Sequence, residues 1–182
     1  MIGTGSVTCM FPAMADPEEI DLPQPENFIL TTRREYRDGV ERLVRLVQFE
    51  LRIFDPDLAD LDMNTPQKCE LLRAFLLRER DNRLYIAVHN TDHIRKYCPR
   101  VMNLLRQFSD RIFINQTQDD AAGLQDCFVL ADKLHIVRRL VRAQPRGSLK
   151  LNDDREGQGM YTRFCEIWES SFPAVAATTV GL

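Results

Sequence analysis

Gln125-Asp126-Cys127-Phe128-Val129-Leu130-Ala131-Asp132 is the stretch on which the fold turns. Phe128 to Ala131 is a short apolar run ended by a turn former, and Leu134 to Val137 repeats the pattern. The pair reads as a hairpin around Asp132-Lys133. Upstream, Thr32 followed by Glu35 is a capping box, and Tyr36, Val40, Leu43, Val44 and Val47 recur at helical spacing. Phe49 to Phe54 predicts a buried strand stopped by Asp55-Pro56-Asp57, and Thr65-Pro66 opens a second helix carrying Cys69, Leu72, Phe75 and Leu76. Leu84 to Val88 predicts a strand, His89 to Asp92 a turn, His93 to about Phe108 one helix kinked at Pro99, and Ile112 to Asn115 a third strand. Downstream, Leu149 to Leu151 is a last strand, and Asn152 or Asp153 caps a final helix with Tyr161, Phe164 and Trp168 on one stripe, ending before Pro173. Helix and strand alternating in this order predict an α/β fold with a mixed sheet flanked by helices.

A chain of 182 residues, 44% hydrophobic and 28% charged, is long enough for one self-sustaining core, and no apolar run approaches a membrane span. The expected organisation is an acidic leader over 1–27, extended or disordered, an α/β domain over 28–173 and a small apolar tail over 174–182. Cys9, Cys69, Cys98, Cys127 and Cys165 are odd in number and widely spaced, without a Cys-x-x-Cys pair. That usage fits a reduced, cytoplasmic setting rather than a disulfide framework or a zinc ribbon.

The element order, the Phe128–Asp132 strand and the closing helix together resemble one phospholipase D-like half-domain over about residues 30–172. More specifically, the Asp55-Pro56 end of the first strand, His93-Ile94-Arg95-Lys96, Phe128–Asp132 and the closing Phe164-x-x-Ile167-Trp168-Glu169 resemble the HKD-lacking domain attached to, or encoded beside, bacterial GNAT-type N-acetyltransferases. The HKD motif is His-x-Lys, four residues, then Asp. With Asp132 as that Asp, Gln125 stands at the His position and Cys127 at the Lys position. An amide is no nucleophile, and a neutral thiol cannot clamp a phosphate as an ammonium does. Gly147-Ser148 with Asn152 also lies farther beyond Asp132 than the family's Gly-Ser element. The resemblance implies a superfamily whose active members cleave or transfer phosphodiesters with two motifs meeting at one site, by homodimerisation where a chain has only one. For this chain it implies a non-catalytic binding or accessory module, an N-acetyltransferase partner and a homodimer. The chain is not itself read as an acetyltransferase, because Gly157-Gln158-Gly159 is too short for a pyrophosphate loop.

If the first three strands are parallel, their carboxyl ends gather Asp55, Asp57, His89, Asn90, His93 and Asn115 at one edge, with Arg95, Cys127 and Asp132 completing a candidate pocket. His89 and His93 with Asp55 and Asp57 are the candidates for a rebuilt phosphodiesterase or nuclease site, with or without a metal. The competing reading makes the aspartates turn formers and Thr91 or Asp92 a helix cap. No metal or cofactor is assigned. Lys133 to Lys150 contains Arg138, Arg139, Arg142 and Arg146 and no acidic residue, a run able to follow a phosphate backbone. Against that, it contains no aromatic side chain for base stacking, and its arginines have carboxylates to pair with, Asp153, Asp154, Glu156 or the leader.

Overall fold

The computed structural model describes residues 23–176. Eight strands, β1 (Glu26–Leu30), β2 (Glu50–Asp55), β3 (Arg83–Val88), β4 (Ile112–Thr117), β5 (Cys127–Ala131), β6 (His135–Arg139), β7 (Gly147–Leu151) and β8 (Ser171–Val175), form one mixed sheet in the order β1-β7-β6-β5-β2-β3-β4-β8. Helices α1 (Arg33–Leu46), α2 (Pro66–Arg78), α3 (Asp92–Tyr97), α4 (Pro99–Gln107) and α5 (Asp154–Glu169) flank it. The mixed sheet between helices is the expected fold class.

Local chemistry sets the helix starts. Thr32 Oγ1 accepts the Glu35 N–H at 3.1 Å while the Glu35 carboxylate accepts the Thr32 N–H at 3.2 Å, so both arms of the capping box are present. The Thr65 hydroxyl caps α2, with Pro66 in its first turn. The single kinked helix expected over 93–108 is instead two. Proline lacks the N–H that a helix interior needs and disfavours a helical residue before it, so Cys98 (φ −115°, ψ 57°) ends α3 and Pro99 begins α4.

Strand alternation divides the core. Leu51, Ile53, Cys127, Val129, Ala131 and Val137 face α1, α2 and α4, whereas Phe54, Phe128, Leu130 and Ile136 face Met160, Phe164 and Ile167 of α5. The α5 face also buries Arg52, whose guanidinium lies 4.5 Å from the ring centres of Tyr85 and Tyr161 and bonds Glu50 at 2.5 Å. That cation is matched by one carboxylate and by aromatic faces, which makes its burial tolerable.

Two strands depart from the sequence reading. Glu26–Leu30 pairs antiparallel with β7, so ordered sheet begins inside the segment read as a leader. Residues 1–22 of that leader lie outside the described residues. Ser171–Val175 pairs with β4 where a helix end and a small tail were expected. Pro173 is tolerated there because β8 is an edge strand, and the register shifts opposite it between Ile114 and Asn115.

Candidate functional site

Strands β2, β3 and β4 run parallel, and β5 returns antiparallel beside β2. The carboxyl ends of the first three and the amino end of β5 therefore share one edge. On the α1 face of that edge, Asp55, Cys127 and Arg139 stand on adjacent strands: Phe54 pairs with Phe128, and Cys127 pairs with Arg139. All three are buried, at 1%, 0% and 0% exposure. Tyr36 of α1 closes the row from above. Its hydroxyl donates to Cys127 Sγ at 3.7 Å and its ring lies 4.2 Å from the Arg139 guanidinium carbon. Burial pushes the Cys127 thiol up, and the neighbouring Asp55 adds to the shift, so the sulfur is a protonated thiol at neutral pH.

Asp55 is a turn anchor. Its Oδ1 accepts the N–H groups of Asp57 (3.1 Å) and Leu58 (2.8 Å), holding Leu58 in the left-handed conformation (φ 66°). Among the described residues its Oδ2 is buried without a hydrogen-bond partner, as are Nε and one terminal nitrogen of Arg139. Burial raises the Asp55 pKa although both backbone bonds pull it down. Asp57 accepts from Ala59 N–H and from Arg142 at 2.7 Å, and Arg139 reaches Asp60 at 3.2 Å. Arg33 and Arg142 also approach Asp60, at 3.6 and 3.8 Å.

The histidines do not converge. The Nε2 of His89 lies 2.9 Å from the Leu124 carbonyl, which can only accept, so Nε2 carries the proton; Nδ1 lies 2.7 Å from the Thr117 hydroxyl. Both ring nitrogens are thus occupied, and Phe54 meets the ring edge-on at 5.4 Å. His93 packs on Tyr97 and lines, with Leu58, Ala59, Met63 and Asn64, a cleft beside the turn that follows Asp57. Asn90 forms a turn, its side-chain oxygen accepting the Asp92 N–H at 2.7 Å, while Asn115 is buried in β4 beside β8. Arg95 donates to the Ala174 carbonyl and lines a cleft with Arg106 and Met102. Among the described residues no group of three His, Cys, Asp or Glu side chains is placed to hold a metal ion.

Asp132 does not reach this edge. It sits at the opposite end of β5 in a left-handed turn (φ 53°), accepting the N–H groups of Gln48 (2.6 Å), Phe49 (2.8 Å) and Glu50 (2.9 Å). Gln125 is exposed, its amide bonded to the Gly123 carbonyl.

The basic run is split by strand alternation. Arg139 turns to the α1 face. Arg138 turns to the α5 face, where Asp126 is gripped by Arg163 at 2.7 and 3.1 Å and meets Arg138 only at 3.5 Å. The carboxylates that receive these arginines are therefore Asp57, Asp60 and Asp126, not the expected 153–156 segment, which holds Lys150 through Asp153 and Glu156. Arg146 has no ion pair among the described residues. Tyr36, Asp60, Asp126 and Arg163 escaped the sequence reading. Tyr36 looked like one more position of a helical stripe, and no spacing rule links the other three to this edge.

No curated protein matches this chain. Solved structures share its fold at low identity. TrmBL2, an archaeal chromatin protein described as showing a novel mode of DNA binding, is 10% identical with a TM-score of 0.63 over 86% of this chain, which spans 57% of that one. Nuc from Salmonella typhimurium, a phospholipase D family member, is 10% identical with a TM-score of 0.57, over 84% of this chain and 100% of its own. NucT from Helicobacter pylori is 11% identical with a TM-score of 0.54, over 83% and 100%. The fold is phospholipase D-like. The family model described as Domain of unknown function (DUF7931) covers residues 32–177, and the chain belongs to that family.

Proposed function

We propose that this chain is a non-catalytic phospholipase D-like module that acts by binding. The supporting observation is the closed sheet edge: Cys127, at the position the resemblance gives to the phosphate-clamping lysine, is fully buried under Tyr36 and beside Arg139. A substrate phosphate would meet a covered, protonated thiol there. The rebuilt-site alternative needs a free histidine nitrogen near Asp55 or Asp57; both nitrogens of His89 are engaged elsewhere, which leaves that role to His93. The sequence resemblance makes a GNAT-type N-acetyltransferase the partner class and a homodimer the assembly. The purified chain, incubated with bis(4-nitrophenyl) phosphate and magnesium, manganese or zinc, is expected to give no turnover above background. Metal-dependent turnover that disappears in His89→Ala or His93→Ala overturns the reading in favour of a phosphodiesterase.

A second reading, nucleic-acid binding through the basic run, draws on the fold shared with the DNA-binding chromatin protein. Its weight rests on Arg146, because Arg138, Arg139 and Arg142 already face carboxylates. Anisotropy of labelled DNA and RNA at two salt concentrations separates the cases: salt-sensitive binding weakened by Arg146→Glu favours it.

A further inference from the structure

The same sheet edge carries an open cleft three strands from Asp55, on the α5 face. It encloses about 410 Å³ between β1, the turn joining β6 to β7, and the start of α5, lined by Ile29, Arg138, Leu140, Val141, Arg146 and Ser148. We propose that this cleft binds a small amphipathic anion, a carboxylate or phosphate head on an apolar body; the inference rests on the binding-module reading above. Two features specify that chemistry. Among the described residues the apolar wall is uncovered, with Ile29 70%, Leu140 67% and Val141 37% exposed, unusual for side chains of this kind clustered at one mouth. The polar wall has surplus positive charge: the single carboxylate of Asp126 is shared between Arg163, at 2.7 and 3.1 Å, and Arg138, at 3.5 Å, and Arg146 has no ion pair among the described residues. Glu156, the one acid on the lining, is neutralised by Lys150. Gly147 fixes the floor, since a Cβ there would lie 2.6 Å from the Arg138 carbonyl oxygen. A cleft of this size with an apolar wall and two arginines on its lining has the build of a small-ligand site.

The test is a fluorescence titration of the full chain with 1-anilinonaphthalene-8-sulfonate, followed by displacement with decanoate, decyl phosphate and neutral decanol. The anions are expected to displace the dye and decanol is not. Dye affinity should fall about tenfold in Arg146→Glu, the loss expected for one charge-assisted bond. It should fall similarly in the exposed Leu140→Asp and stay unchanged in Arg106→Glu, which alters the other basic cleft. Equal displacement by decanol, or full affinity in Arg146→Glu with folding verified by circular dichroism, overturns the proposal. Such a failure leaves the phosphodiester assay standing, so the two readings fail separately.

Discussion

Replacing Asp132 by alanine tests whether the residue that aligns with the motif aspartate serves architecture or chemistry. Its carboxylate ties the β5–β6 turn to the α1–β2 junction through three backbone N–H groups, two exposed and one, on Glu50, part-buried. A hydrogen bond to a charged group contributes about 1.5–3 kcal/mol where water cannot substitute and much less where it can. Taking about 2 kcal/mol for Glu50 and roughly 0.5 kcal/mol for each exposed bond gives about 3 kcal/mol. Alanine in the left-handed turn adds about 1 kcal/mol. Urea denaturation of Asp132→Ala should therefore show a loss of about 4 kcal/mol with the slope unchanged, a Tm drop of about 8–16 °C for a domain of this size. Asp132→Asn keeps an oxygen that accepts from Phe49 and Glu50 and tolerates the turn, but it gives up the charge and turns an NH2 toward the Gln48 N–H, so about 2 kcal/mol is expected. An alanine variant within about 0.5 kcal/mol of the parent, or an asparagine variant as damaging as alanine, refutes the reasoning.

Helix α5 offers an internally controlled pair. A Cβ on Gly157 would lie 1.7 Å from the Lys133 carbonyl oxygen, a backbone atom that cannot swing aside, so Gly157→Ala should cost more than about 3 kcal/mol by denaturation. Gly159 has nothing within 4 Å, so Gly159→Ala should stabilise by up to about 1 kcal/mol through helix propensity; equal effects would dismiss the packing argument. Asp55 should give the chain a pH dependence of unusual sign. Burial raises its folded pKa above the unfolded value, so the folded state binds more protons and stability falls as pH rises from the unfolded pKa through the folded one. Asp55→Asn keeps the Oδ1 acceptor and removes the buried charge, so its Tm advantage should be largest at alkaline pH and vanish in acid; a pH-independent difference would rule this out.

Much of the fold was legible because helix signals are local. The Thr32–Glu35 and Thr65–Pro66 starts, the 3.6-residue stripes and the apolar runs of β2 to β5 each depend on neighbours within a few positions. The edge strands were not legible. Glu26–Leu30 lacks clean alternation and Ser171–Val175 contains a proline, and both are held as strands by backbone pairing with β7 and β4, sequence-distant partners. The candidate site divided in the same way. Parallel strand ends bringing Asp55 and His89 to one edge follow from element order, but the tautomer and partners of His89 depend on Thr117 and Leu124, 28 and 35 residues away.

By itself, the sequence determined an α/β domain of phospholipase D-like order without the His-x-Lys pair, because residue identity and short-range spacing carry both facts. Tertiary structure alone decided what became of the charges. Counting along the chain sees a basic run from Lys133 to Lys150, but a strand sends successive side chains to opposite faces, so Arg138 met Asp126 and Arg139 met Asp60 across the sheet. Whether an arginine is a solvated surface charge or a buried plug depends on carboxylates 12 residues away for Arg138 and 79 for Arg139, and only the folded chain brings those within reach.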